Sequence, residues 1–271
     1  MNLVNGKPSS SISIFDRGFL YGDSVFETIL VIEKQPKNLK LHFDRLKKGC
    51  LLLGIQNLNY NLLEKYIKKS LNDVNNCVLS INITRGTFKK RGYSINIRIK
   101  PNIILTTTNI PKYPKEYYKN GIKTKFSKII LSDNNNLPKI KHSNRLEQVL
   151  AAKEITENYP EIILCDKKDY IVEGVSSNIF FIRDNVFYTP QLENNGVEGI
   201  MKSLVIKLLK RNKYIIKSVK IKKNKINNFD AAFFCNSVRL IWNIKSIENY
   251  NYKKNKYIEH LTNLINNEIY K

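Results

Sequence analysis

Apolar and polar residues along the first 107 positions follow two periods, one typical of strands and one typical of helices. Residues alternate in character around the Asn5-Gly6 turn, and later runs have the β-rich composition of strands. Between these runs apolar residues recur at helical spacing. Strands are predicted over 3–15, 25–32, 77–83 and 95–107, and helices over 41–53 and 62–71. The pattern therefore predicts a first domain of mixed α and β structure over residues 1–107.

A stretch with two prolines, Pro111 and Pro114, separates this domain from the rest of the chain, and we predict a linker over 108–114. Beyond it, short β-rich runs separated by turns predict a meander of hairpins flanked by amphipathic helices. Strands are predicted over 122–131, 161–164, 170–172, 179–182 and 186–188, and helices over 144–154, 200–210 and 258–269. The sequence predicts a second domain over residues 115–271 and an α/β fold of the α+β kind.

The chain carries a net charge of +23, which is the electrostatic signature of a nucleic-acid-binding protein. Its lysines are scattered along nearly the whole length, however, and accompany many Asn, Ile and Tyr residues, as an AT-rich genome would produce at surface positions. A solvated lysine-rich surface is therefore favoured over a basic binding face around 213–225. We predict no nucleic-acid partner and keep nucleic-acid binding as the less favoured alternative.

The chain lacks the sequence features of export and of metal binding. It begins without a basic segment followed by a long apolar stretch, and no run approaches about 18 apolar residues. The cysteines lie far apart, without a C-x-x-C pair or nearby histidines at metal-ligand spacing. They are Cys50, Cys77, Cys165 and Cys235. We predict a cytoplasmic protein with reduced thiols, no membrane association and no metal.

Five stretches occur in an order that is typical of one enzyme family. They are DRGFLYGDSVFET (16–28), HFDRL (42–46), KHSNRLEQVLA (141–151), EGVSSNIF (173–180) and GVEGIM (196–201). Together they resemble the fold-type IV pyridoxal-phosphate family, which includes branched-chain and D-amino-acid aminotransferases and aminodeoxychorismate lyases. The resemblance implies a smaller N-terminal α+β domain, a larger C-terminal domain with a mainly antiparallel β-meander or barrel flanked by helices, and pyridoxal 5'-phosphate as cofactor.

The resemblance assigns two residues to the reactive part of the cofactor. Lys141 matches the family's Schiff-base lysine, which also serves as the proton-transfer base and must therefore become uncharged. Lys139 lies two residues away and is the competitor, but the residues that follow Lys141 select it. Glu173 matches the acid that faces the pyridine nitrogen and keeps it protonated, so that the ring can accept electrons. Taken alone, either residue would be an ordinary surface charge.

The cofactor's phosphate needs fixed hydrogen-bond donors, and the sequence offers several. A helix that begins at the Gly199-Ile200-Met201 turn would direct its free amides and positive end at an anion. By resemblance, Arg45, Asn236 and Ser237 also lie on the phosphate side. Several relatives carry Thr at the phosphate-side position where this chain has Asn236 and Ser237. A glycine before a helix, such as Gly199, is usually only a helix cap.

Within the family, the stretch at 141–151 looks most like that of aminodeoxychorismate lyases. This implies elimination of pyruvate from 4-amino-4-deoxychorismate to form 4-aminobenzoate, a folate precursor, by a homodimer. Arg91 and, less directly, Arg239 are candidates for the substrate's carboxylates, and Thr28 for a contact beside Lys141. Arg91 is equally well explained as one of several loop charges. The main alternative is a branched-chain or D-amino-acid aminotransferase that uses the same lysine and glutamate.

Overall fold

The computed structural model describes residues 1–90, 92–95, 99–137 and 139–270. Its contacts group the chain into two compact units. Unit 1 contains Met1–Pro111 and Ile140–Asn144, and unit 2 contains Lys112–Lys139 and Arg145–Lys271. The predicted domains, 1–107 and 115–271, differ from this grouping in the segment 140–144, which the contacts assign to unit 1. That division into domains stays a prediction.

The described residues of unit 1 form a six-stranded antiparallel sheet with the strand order β2-β1-β6-β5-β3-β4. The elements are β1 (Leu3–Val4), β2 (Lys7–Pro8), α1 (Arg17–Tyr21), β3 (Ser24–Ile32), β4 (Gln35–Pro36), α2 (Leu39–Leu53), α3 (Tyr60–Ser70), β5 (Cys77–Thr84) and β6 (Asn102–Thr108). The strand predicted over 3–15 was too long, because only the short strands β1 and β2 of this stretch pair within the sheet.

The core of unit 1 lies between one face of this sheet and the helices α2 and α3. Alternate residues of β3, such as Val25 and Ile29, share the buried cluster with Leu46 of α2 and Leu63 of α3. Side chains at every second position of a strand lie on the same face. The remaining positions of β3, among them Phe26 and Thr28, therefore lie on the other face of the sheet.

Unit 2 contains a seven-stranded and a three-stranded sheet within the described residues. Its elements are α4 (Lys115–Lys119), β7 (Ile122–Thr124), β8 (Phe126–Leu131), α5 (Leu146–Ala152), β9 (Ile163–Asp166), β10 (Ile171–Gly174), β11 (Asn178–Arg183), β12 (Val186–Pro190), α6 (Ile200–Arg211), β13 (Ile216–Val219), a 3-10 helix (Lys223–Asn228), β14 (Ala231–Asn236), β15 (Leu240–Ile247), β16 (Tyr250–Asn251) and α7 (Lys256–Tyr270). Every helix in the described part of the chain is too short or too polar to cross a lipid bilayer.

Two predicted elements of unit 2 differ from the structure. The strand predicted over 122–131 is divided, because β7 pairs with β15 in one sheet and β8 pairs with β9 in the other. The helix predicted over 144–154 is the shorter α5, and its apolar residues Leu146, Val149 and Leu150 are exposed. These three residues were predicted to share one face of the helix, whereas within α5 only Ala151 is buried.

Candidate active site

Lys141 lies in a segment that pairs with the first residues of β3. The amide of Phe26 donates to the carbonyl oxygen of Lys141 at 2.9 Å, and the amide of Ser143 donates to that of Ser24 at 3.1 Å. The side chain of Lys141 places Nζ 4.1 Å from the centre of the Phe26 ring. Backbone pairing therefore holds this amine beside an aromatic ring on the face of the sheet that α2 does not cover.

Thr28 lies two positions after Phe26 on β3, so its side chain is on the same face. It is half-buried and pairs in register with Ser80 of β5. The structure thus places Thr28 and the Lys141 amine on one face of unit 1, as a contact beside the lysine requires.

A cluster of ionisable residues, two of them buried, lies on the opposite face of β3. Glu27 is fully buried, and its carboxylate accepts hydrogen bonds from His42 Nδ1 at 2.6 Å and from Arg45 at 2.5 and 2.8 Å. His42 and Arg45 are three residues apart on α2 and therefore project from the same side of the helix. The Arg45 guanidinium is thereby held in a fixed orientation by two hydrogen bonds to one carboxylate.

The protonation states within this cluster follow from burial and pairing. Burial alone would raise the pKa of Glu27, but the hydrogen bonds from Arg45 and His42 outweigh it, and the pKa is lowered from its usual 4.5. Burial lowers the pKa of His42 below its usual 6.5, although Glu27 opposes this change. A carboxylate is only an acceptor, so the neutral imidazole carries its proton on Nδ1. Sequence reasoning missed Glu27 and His42, although both lie within the family stretches.

Glu173 lies on β10 in unit 2 and is 5% exposed. Its Oε2 accepts a hydrogen bond from the amide of Val197 at 2.8 Å. The preceding Gly196 has a φ of +77°, a left-handed conformation that favours glycine and lets the chain turn toward this carboxylate. Glu173 is thereby connected to the loop that leads into α6.

The start of α6 is fixed by the same loop. Asn178 of β11 donates from Nδ2 to the carbonyl oxygen of Val197 at 2.9 Å. A Cβ at position 199 would collide with Asn178 Oδ1, so Gly199 allows the loop to approach β11 closely.

No side chain caps this described helix end, where the side chains of Ile200 and Met201 are buried. The Glu173 carboxylate and the start of α6 therefore belong to one arrangement within unit 2.

Lys202, a residue that sequence reasoning missed, adds positive charge to the first turn of α6. Its side chain is buried, and Nζ donates to the carbonyl oxygen of Pro190 at 3.1 Å. Burial lowers its pKa, and the nearby carboxylates of Glu198 and Glu173 oppose this change. Its charge has the same sign as the helix dipole at that end.

Asn236 ends β14, and Ser237 follows it in the turn before β15. Asn236 Oδ1 accepts from the amides of Val238 and Arg239 at 3.0 and 2.7 Å, and its Nδ2 donates to the carbonyl oxygen of Ser176 at 3.1 Å. The side chain of Asn236 therefore stabilises the turn that presents Ser237.

The two arginines expected at the substrate have different outcomes. Arg239 is buried and forms an ion pair with the fully buried Glu161. This contact gives Arg239 a structural partner within unit 2. Arg91 lies outside the described residues.

The structure therefore brings the candidates together in two groups, each within one unit. Lys141 and Thr28 share a face of the unit 1 sheet, with Arg45 on the other side of β3. In unit 2, Glu173 contacts the loop that begins α6. Among the described residues, no group of His, Cys, Asp and Glu could hold a metal ion.

The chain matches the family model of class IV aminotransferases over residues 24–247. This match spans most of the chain, and the chain belongs to that family. It is thus an enzyme of the pyridoxal-phosphate-dependent class IV type, as the sequence predicted.

Individual relatives are similar over most of their length. The chain is 27% identical over 237 residues to an aminodeoxychorismate lyase of Vibrio harveyi, covering 87% of each chain. It is 30% identical over 217 residues to a putative branched-chain-amino-acid aminotransferase of Methanocaldococcus jannaschii, covering 76% of this chain and 74% of the relative. The crystal structure of 4-amino-4-deoxychorismate lyase from Pseudomonas aeruginosa matches with a TM-score of 0.95 and 28% identity, covering 98% of both chains. The fold predicted from the sequence is confirmed by this match.

Proposed function

We propose that the chain is an aminodeoxychorismate lyase, which eliminates pyruvate from 4-amino-4-deoxychorismate and forms 4-aminobenzoate for folate biosynthesis. The observation that carries this proposal is the likeness of the whole fold and of the sequence to the lyase of P. aeruginosa. The lyase of V. harveyi supports it independently.

The residues fit pyridoxal 5'-phosphate as the cofactor. The donor set includes an amine beside an aromatic ring (Lys141), a buried carboxylate (Glu173) and a helix start without a side-chain cap (Gly199). These are an amine for an aldehyde, an acid for a pyridine nitrogen and amides for a phosphate. When bound, the cofactor supplies an aldehyde that combines with amines and a ring that accepts electrons.

In this proposal Lys141 is the catalytic base. Its Nζ removes the proton from C4 of the substrate, and the bond from C3 to the enolpyruvyl oxygen then breaks as the substrate ring becomes aromatic. Thr28 lies on the same face of β3 and orients a hydroxyl or water beside this amine. Glu173 holds a proton on the pyridine nitrogen of the cofactor.

The phosphate is proposed to bind the amides at Ile200 and Met201, with further donors from Asn236 and Ser237. The positive end of α6 favours an anion there. Arg45 is also proposed as a phosphate donor, and its two hydrogen bonds to Glu27 hold the guanidinium in place.

For the two carboxylates of the substrate, Arg91 is the proposed partner. The buried ion pair of Arg239 with Glu161 argues against a direct contact of Arg239 with the substrate.

We further propose that the protein is a cytoplasmic homodimer without a nucleic-acid partner. Exposed apolar side chains support a second copy as partner. In unit 1, Ile14, Phe19 and Leu20 are exposed, and in unit 2 the apolar residues of α5 are exposed. Apolar surfaces of this kind commonly mark protein–protein contacts.

One pair of assays tests the reaction. Purified protein loaded with pyridoxal phosphate is expected to release pyruvate and 4-aminobenzoate from 4-amino-4-deoxychorismate. It is expected to transfer amino groups from branched-chain or D-amino acids to 2-oxoglutarate only slowly. Rapid amino transfer without pyruvate release from aminodeoxychorismate would instead support the aminotransferase alternative, which the relative from M. jannaschii favours.

A further inference from the structure

Glu161 is a buried carboxylate that the proposed reaction does not use. It lies just before β9, is fully buried, and accepts hydrogen bonds from the turn between β10 and β11. Ser176 donates from its amide at 3.3 Å and from Oγ at 3.0 Å, and Ser177 donates from Oγ at 3.1 Å. A single carboxylate therefore holds the turn that directly follows Glu173 and Gly174.

Arg239 supplies the positive charge that pairs with the Glu161 carboxylate. Its Nη2 donates to Glu161 Oε2 and, at 2.8 Å, to Ser176 Oγ. Its guanidinium carbon lies 4.2 Å from the ring centre of Trp242, so the group is stacked on an aromatic face. The guanidinium is thus held on two sides, by hydrogen bonds and by the aromatic ring.

The network joins two turns that are distant in the sequence. Asn236 binds the Ser176 carbonyl oxygen through Nδ2 and the Arg239 amide through Oδ1. The turn at 175–177 is therefore tied to the turn at 237–239 through the side chains of Asn236 and Arg239. Glu173, the proposed partner of the pyridine nitrogen, precedes the first turn, and Asn236 and Ser237, proposed for the phosphate, begin the second.

Steric fit makes this arrangement sensitive to small changes. The amide of Gly174 donates to the Ser177 carbonyl oxygen at 2.7 Å, and a Cβ at position 174 would lie 2.5 Å from Ser177 Oγ and 3.1 Å from the Glu161 carboxyl carbon.

A buried ion pair adds little net stability compared with apolar residues of similar size. A role in orienting Glu173 accounts for a costly charge pair at this place.

We propose that Glu161 and Arg239 are positioning residues, which fix the turn after Glu173 against the turn at Ser237 and so set both groups for the cofactor. This inference rests on the proposed function, because it assigns Glu173 to the pyridine nitrogen. Arg239 acts through Glu161 and Ser176 and does not contact the substrate.

The test compares Arg239→Met with Arg85→Met in the holoenzyme. Arg85 is a buried arginine in unit 1 that pairs with the partly buried Asp23 and donates to the carbonyl oxygens of Leu53 and Gly54, none of which is a proposed site residue, and it serves as the control. Both variants are expected to melt at lower temperature. Only Arg239→Met is expected to release pyridoxal phosphate faster, to shift the pH midpoint of the cofactor's visible absorption, and to lower kcat, by roughly tenfold to a hundredfold.

Two milder variants keep the test decisive if Arg239→Met fails to fold. Ser176→Ala removes one hydroxyl that contacts both charged groups, and Arg239→Lys keeps the charge but not the paired hydrogen bonds. Both are expected to show the same changes to a smaller degree. Variants that melt lower while retaining wild-type cofactor release and pH midpoint would assign the network a merely structural role and overturn the inference.

Glu173→Gln separates this outcome from a failure of the proposed function. If it changes the pH midpoint and the network variants do not, only the positioning role is wrong. If Glu173→Gln leaves the visible absorption unchanged, or the wild-type protein binds no pyridoxal phosphate, the proposed cofactor site is wrong and the inference with it.

Discussion

Lys141 and Lys139 lie two positions apart, and substitutions at each separate their roles. Lys141→Ala is expected to abolish both the yellow colour of the protein with its cofactor and the release of pyruvate, because the reactive amine is lost. The visible spectrum and the pyruvate assay measure this.

The matched control is Lys139→Asn. Lys139 is exposed and has a φ of +66°, which asparagine tolerates better than most residues. This variant is expected to keep the colour and the activity. A colourless Lys139→Asn beside a yellow Lys141→Ala would reverse the assignment.

The buried pair of Glu27 and His42 makes stability depend on pH. The folded protein lowers the pKa of both groups, so it favours the carboxylate and the neutral imidazole. Each contribution is complete above the group's usual value and is lost as the pH falls below it. The free energy of unfolding in urea is therefore expected to decrease between about pH 7 and pH 5 through His42, and further in stronger acid through Glu27.

His42→Gln provides the comparison for this pH dependence. Glutamine can still donate to Glu27 but does not titrate. The variant should lose less of its free energy of unfolding than the wild type between neutral pH and mild acid. Equal slopes in the two proteins would show that His42 does not cause the decrease.

Among the elements, the start of α6 depends on the absence of a side chain at position 199. Gly199→Ala is expected to destabilise the protein by about 1–3 kcal/mol, since its Cβ meets Asn178 Oδ1. It should also weaken the binding of pyridoxal phosphate. Urea unfolding and cofactor titration measure the two effects.

Asn178→Ala tests the physical cause of that loss. This substitution removes the colliding oxygen, so the double variant should be more stable than the sum of the single changes predicts. Simple additivity would mean that the collision with Asn178 is not what Gly199 avoids.

Long periodic elements were predictable from the sequence, and short ones were not. The helices predicted over 41–53 and 200–210 correspond to α2 and α6, because several turns of amphipathic pattern define each. The helix α1 was missed, since five residues carry no period. It is recognisable only from Asp16, whose side chain accepts from the amides of Gly18 and Phe19.

In the candidate site, too, residues within local motifs were predictable from the sequence, and contacts between distant residues were not. The motif stretches identified Lys141 and Glu173 by resemblance. The partners that hold such residues in place could not be read from them, because Glu161 and Arg239 are 78 positions apart in the chain. Hydrogen bonds across that separation depend on how the strands of unit 2 are arranged, and no local pattern of residues encodes this.

For the whole molecule, the proposed dimer predicts a mass near twice 31.6 kDa in light scattering. Phe19 is 67% exposed in unit 1, near other exposed apolar residues. Phe19→Glu is expected to shift the protein toward the monomer, because a charge would be buried in the contact.

Leu51→Glu is the control for this measurement. Leu51 is 80% exposed on α2, outside the apolar segment that includes Phe19. Its variant should keep the mass of the wild type. A monomeric wild-type protein, or an equal effect of both substitutions, would contradict the proposed contact.

Residues 140–144 belong to unit 1, although the chain has already entered unit 2 at Lys112. During synthesis on the ribosome, unit 1 therefore emerges without the segment that pairs with the start of β3. A gene truncated after Pro111 would encode an incomplete module that lacks Lys141. Dissection of this enzyme into separately expressed halves accordingly requires that residues 140–144 be grafted back onto the first half.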